Sequence, residues 1–136
     1  IIENDNSFPR DILSDDLSLE HILPKTPDFN IDWRDDNFIT EEDENGDLVT
    51  RALNKSIHER FLDRLGNHTI LTRSDNSYNS NRPYADKLPI YNEESMPSIT
   101  NSNSNHSVTF YENWNAESIE SRQVALSLLA KDIWLL

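Results

Sequence analysis

DLVTRALNKSIHERFLDRLG, residues 47–66, is the stretch whose start, periodicity and stop signals agree. Val49, Leu53, Ile57, Phe61 and Leu65 fall four residues apart, with Ala52 and Leu62 beside them. That spacing predicts one apolar stripe on a helix over about 48–65. Asp47 offers an acceptor at its start, and Gly66 stands where a left-handed C-terminal cap is wanted. Arg60 and Arg64 suit the negative end of the helix dipole. Such a helix must bury its stripe on something.

Working outward, a second stripe lies near the end of the chain. Ile119, Leu126, Leu129, Ile133 and Leu136 recur at three- and four-residue steps, and Trp134 adds bulk. Asn115 is a fair N-cap and Glu117 suits the first turn, so a helix over 116–135 is expected. The segment DIWLL (132–136) is similar to the acidic dileucine motif of receptor tails. No apolar run is long enough to accompany it with a membrane span, so packing is the expected use of these residues.

The two stripes are set in a chain of 136 residues of which 35% are hydrophobic. Ordinary domains hold roughly 45–50%, so a well-filled interior is not expected. Only two glycines are present, which leaves little room for phosphate-cradling loops. There is no cysteine, hence no disulfide, thiol nucleophile or thiolate zinc cluster. The chain opens on Ile rather than Met, as a fragment or a processed chain would. Its net charge of −13 is uneven: residues 1–49 hold 15 acids and 3 bases, and residues 50–136 hold 10 and 9.

Residues 1–46 therefore read as an acidic, largely extended arm. A short N-terminal helix over 14–23 is expected, with Ser14 as N-cap and Pro24 stopping it. Leu17, Leu19, Leu23, Phe29, Trp33 and Phe38 are spaced among acids like anchors presented to a groove. This texture resembles acidic activation domains and the acidic-aromatic arms of histone chaperones. The polyanionic arm argues against direct nucleic-acid contact and for a basic protein surface. Residues 41–52, EEDENGDLVTRA, place Gly46 where a calcium-binding EF-hand loop needs it. The twelfth place is Ala52 where a bidentate Glu is required, so a solvated acidic turn is expected instead.

Beyond the first helix the order is a β-prone run (68–73), an Asn/Ser/Pro-rich extended linker (74–106), and a second β-prone run (108–111). The segments are thus 1–46, 47–73, 74–106 and 107–136. The two β-prone runs could pair with each other or extend a partner's sheet. His21, His58, His68 and His106 are scattered without ligand spacing, and no serine sits in a nucleophile elbow. No catalytic, cofactor or metal residue is singled out.

The expected fold is mainly α with much irregular chain: two amphipathic helices plus a short N-terminal one, not a self-contained compact domain. The expected function is a non-catalytic scaffold subunit, not an enzyme, wrapped on and ordered by a larger protein with a basic patch facing residues 1–46. Its contact residues would be Leu17, Leu19, Leu23, Phe29, Trp33, Phe38, Leu53, Ile57, Phe61, Leu65, Ile119, Leu126, Leu129, Ile133 and Trp134. No cofactor, nucleic acid or membrane enters, and an intracellular, nuclear location is expected. An acidic regulatory region and a small autonomous α-rich domain are the alternatives.

Overall fold

A spacing of four residues satisfies a strand as well as a helix, because four is also a multiple of the strand period of two. Residues 47–66 use both. The computed structural model describes residues 16–34 and 37–134. It places strand β1 at Leu17–His21, strands β2 (Ile39–Glu42) and β3 (Leu48–Arg51), and helix α1 at Lys55–Phe61. Strand β4 (His68–Thr72) and helices α2 (Arg73–Asn79), α3 (Tyr84–Tyr91) and α4 (Ala116–Trp134) follow.

The helix expected over 48–65 is thus a strand followed by a shorter helix. Strands β2 and β3 form a hairpin in which Ile39 faces Arg51 and Glu42 faces Leu48. Its turn is built by Asp43, whose Oδ1 accepts the amides of Asn45 (2.8 Å) and Asp47 (3.0 Å). Gly46 takes φ +81°, a conformation that side chains resist. Helix α1 then starts afresh: Asn54 caps it by accepting the Ile57 amide at 2.9 Å. The acidic turn expected within 41–52 narrows to residues 43–47 and joins two strands rather than leading into a helix.

Residues 17–21, expected inside a short helix, are a strand. β1 pairs antiparallel with β4, with His21 opposite His68, Glu20 opposite Thr69 and Leu19 opposite Ile70. The two β-prone runs therefore do not pair with each other; Val108–Phe110 is a single 3-10 turn. On the inner face Glu20, Thr69 and Leu71 are buried, while Leu19 on the outer face is 53% exposed. Helix α2 covers the inner face. Its Asn76 Nδ2 donates to Leu19 O (2.8 Å) and to Ser18 Oγ, and its Asn79 Nδ2 donates to Glu20 Oε2 (3.2 Å).

The expectation of a mainly helical chain without an interior of its own is wrong. The described residues form a compact α/β domain of two small antiparallel sheets and four helices. Ile22, Leu23, Phe38, Phe61, Tyr91, Val108, Trp114 and Ile119 sit in one continuous core. Phe38 meets Phe61 edge-on at 6.0 Å, and Tyr84 stacks on Trp114 at 5.3 Å. Composition misleads here because long polar side chains also fill the interior. Lys87 and Arg122 are wholly buried, each satisfied by backbone carbonyls. The Asn/Ser-rich stretch is tied in as well. Thr100 Oγ1 bonds Thr69 Oγ1 at 2.7 Å, and the Tyr84 hydroxyl donates to the Val108 (3.0 Å) and Tyr111 (2.6 Å) carbonyls.

Candidate active site

The end of β1 carries the densest chemistry. His21 and His68 face each other across the strand pair on the side opposite α2, their rings edge to face with centroids 4.6 Å apart. Asp63, just beyond α1, brings Oδ1 to 3.6 Å from His21 Nε2. The His21 side chain is only 12% exposed, whereas that of Asp63 is 86% exposed. Burial is the main cause lowering the basicity of His21 below the usual 6.5, helped by His68 and Lys25 and opposed by Asp63. His68 is lowered too, chiefly by burial. Both rings are therefore neutral at pH 7, with a lone pair available.

The backbone around His21 is fixed from three directions. Asn67 is wholly buried: its Oδ1 accepts the Leu23 amide (2.7 Å) and the Trp114 indole N–H (3.0 Å), and its Nδ2 donates to the carbonyls of Leu23 (3.0 Å) and Leu62 (2.9 Å). Lys87, from α3, donates its ammonium to His21 O (2.8 Å) and Ile22 O (3.1 Å). His58 Nε2 donates to Pro24 O at 2.8 Å, tying α1 to the same loop. One residue before His21, the Glu20 carboxylate turns inward. Its Oε2 accepts from Tyr91 Oη (2.6 Å) and Asn79 Nδ2 (3.2 Å) and lies 3.5 Å from Lys87 Nζ. Burial raises the Glu20 carboxyl and lowers the Lys87 ammonium from their usual values, each partly offset by the other.

Arg122 of α4 reaches the other strand. It donates to the carbonyls of Gly66 (2.9 Å), His68 (2.6 Å), Ile99 (3.0 Å) and His106 (3.0 Å), and burial lowers its basicity to about 10. Gly66 makes room for that helix: a Cβ there would lie 2.0 Å from the Ile119 carbonyl oxygen. The glycine expected as a left-handed cap is needed for close approach instead.

The structure distributes the expected contact residues widely. Leu23, Trp33, Phe38, Leu53, Ile57, Phe61 and Ile119 are in the core, and Phe29 packs against it. Leu19 and Leu65 are exposed, while Leu17, Leu126 and Leu129 are half-buried. Ile133 and Trp134 lie in α4, their side chains outside what is described. The site itself was missed from the sequence. His21 and His68 have no ligand spacing because the antiparallel register, not local sequence, brings them together. The available signal was alternation in Leu17, Leu19 and His21, the mark of a strand.

Comparison with known proteins then bears on the role. The model of a family described as GmrSD restriction endonucleases, C-terminal domain, matches residues 2–128. No curated protein and no solved structure matches. The family match overturns the reading as a non-catalytic, protein-binding scaffold of a nuclear assembly, and with it the statement that the chain is no enzyme. The exclusion of direct nucleic-acid contact falls too. It rested on summed charge, yet several of the acids behind that sum are used internally: Glu20 by Lys87, Asp43 in its turn, and Glu41 by Arg51 (3.5 Å) and Arg60 (3.1 Å). Matched over nearly its whole length, the chain belongs to the family of GmrSD restriction endonuclease C-terminal domains.

Proposed function

We propose that this domain hydrolyses phosphodiester bonds in DNA, with His21 as the general base. The observation that carries the reading is a histidine of lowered basicity on a tightly bonded backbone at the end of β1, in a chain whose family is named for restriction endonucleases. A base working near pH 7 needs a lone pair at that pH and a fixed direction. His21 has the first through burial; for the second, Asn67, Lys87 and the β4 register fix the backbone that carries it, and the His68 ring lies against its imidazole. In the reaction, the lone pair of the His21 ring takes a proton from water as its oxygen bonds to phosphorus. The phosphorus–oxygen bond to the sugar breaks, and the departing alkoxide takes a proton from solvent water. Lys25 is exposed and close enough to disfavour a second positive charge on His21, which suits it to meeting a phosphate.

Nuclease chemistry ordinarily draws on a hard divalent cation, which stabilises charge on the attacking and leaving oxygens. The oxygens nearest in sequence do not fit one beside His21: the Glu20 carboxylate is committed to Lys87, Tyr91 and Asn79 on the buried face of the sheet, opposite the histidine.

The test is cleavage of duplex DNA by the full chain with magnesium or manganese. Replacing His21 by Ala should lower the rate by about 10²–10⁴-fold, the range for losing a general base. Cleavage that persists undiminished in His21→Ala would remove His21 from the mechanism.

A further inference from the structure

We propose that His21, Asp63 and His68 form a metal site for an ion of the zinc class, and that filling it withdraws His21 from proton transfer. The metal site stands on geometry; its inhibitory consequence rests on the role proposed above for His21. One ring nitrogen of each histidine and a carboxylate oxygen of Asp63 all lie within 4.8 Å of one another. Three segments supply them: β1, the turn after α1, and β4. Two imidazoles and one carboxylate are a donor set that zinc takes with a fourth position left to water. Magnesium prefers oxygens alone, so this nitrogen-rich donor set favours the zinc class over it.

His68 supplies the independent observation. Its Nε2 is buried and has no hydrogen-bond partner among the described residues. The Leu62 backbone acts on the same ring, partly offsetting the effect of burial. A buried Nε2 with no group to donate to is suited to carrying the lone pair, the form in which histidine binds a metal. Zinc sits about 2.0–2.1 Å from each donor, which asks the three atoms to draw in to roughly 3.3 Å of one another. Asp63 is the ligand free to move, since its side chain is almost wholly in solvent. A zinc ion on His21 takes up the ring lone pair that would otherwise accept the proton.

Titration of the purified full chain with zinc, followed by calorimetry, and with cobalt, followed by its visible bands, reads binding without any need for cleavage. One equivalent should bind, with cobalt bands of tetrahedral intensity. Asp63→Asn and His68→Leu should each weaken binding at least tenfold, since even second-layer partners of metal ligands matter that much. His106→Ala, at another histidine whose buried Nε2 lacks a partner among the described residues, should not alter it. Far-UV circular dichroism of His68→Leu guards against a folding defect, and Asp63→Asn gives an exposed variant with little fold to lose. Absence of saturable zinc binding, or affinity unchanged in both variants, overturns the site. Zinc at one equivalent should suppress magnesium-supported cleavage. Bound zinc with full cleavage overturns the antagonism while leaving the site, and a chain that binds zinc but never cleaves DNA sinks the nuclease reading instead.

Discussion

Removing Lys87 should cost the domain far more than removing Lys87 and Glu20 together. The ammonium and carboxylate lie 3.5 Å apart with side chains 0% and 2% exposed. Lys87→Met leaves a carboxylate in the interior and takes a donor from the His21 and Ile22 carbonyls. Breaking a buried pair in this way costs about 3–5 kcal/mol. For a domain of this size that is roughly 12–20 °C of Tm, at about 4 °C per kcal/mol. The loss should depend on pH. Burial already raises the Glu20 carboxyl above its usual 4.5, and losing Lys87 raises it further. A carboxyl raised by folding favours the fold below pH 4.5, and that favour is lost as pH rises through its folded value. The Lys87→Met deficit should therefore be larger at pH 7.5 than at pH 5. In Glu20→Gln/Lys87→Met no charge is stranded. The introduced side-chain amide can still face Tyr91 and Asn79, so more than half of the loss should return. Thermal melts by circular dichroism at the two pH values, for both single variants and the double, complete the cycle. A Lys87→Met melt within a few degrees of the parent at pH 7.5, or a double variant as poor as the single one, refutes the account.

Gly66→Ala puts a methyl 2.0 Å from backbone that cannot yield without moving α4, so a loss of at least about 1–3 kcal/mol is expected in urea unfolding. Asn67→Ala deprives the Leu23 amide and the Trp114 indole of their acceptor, and should destabilise by roughly 2–4 kcal/mol while weakening cleavage through His21. His21 and His68 are both lowered from 6.5, mainly by burial. Groups lowered by folding stabilise the fold above their unfolded value and lose that contribution as pH falls through the folded one. Stability should therefore decline as pH drops from about 7 towards 5, and His68→Leu should flatten that slope in melts across the range.

How much of this was legible in the sequence depends on the element. The C-terminal helix was: its stripe and the cap at Asn115 mark Ala116–Trp134 closely, with Asn115 Oδ1 accepting the Ser118 amide at 3.0 Å. The stretch over 47–66 was not, since Val49 and Leu53 are four apart on either reading. Asp43 and Gly46 pointed to a hairpin turn, but their partner strand Ile39–Glu42 carries two acids and little apolar signal. β1 was hidden by inversion. A strand with one buried face normally turns its apolar residues in, yet here Glu20 is inside and Leu19 outside. Only Lys87, Tyr91 and Asn79, lying 59–71 residues further on, make that orientation tolerable. Likewise His21 and His68 are 47 residues apart in sequence and adjacent only through register.

The same inversion explains how a chain of net charge −13 can present a site to a polyanion. Long-range repulsion is screened beyond about 8 Å at physiological salt, so the charges near His21 matter more than the sum. Of the described acids nearest to it, Glu20 is turned inward and neutralised by Lys87, which leaves Asp63 on the histidine face. Lys25 lies on the side where it acts on His21. Hiding Glu20 thus does two things at once. It fixes the end of β1 through Lys87, and it removes a negative charge from the approach of a phosphate. Exposing that carboxylate would loosen the backbone at His21 and add negative charge on the approach that the proposed nuclease role requires. A polar residue placed against the usual rule of strand alternation is therefore the feature that couples this fold to its site.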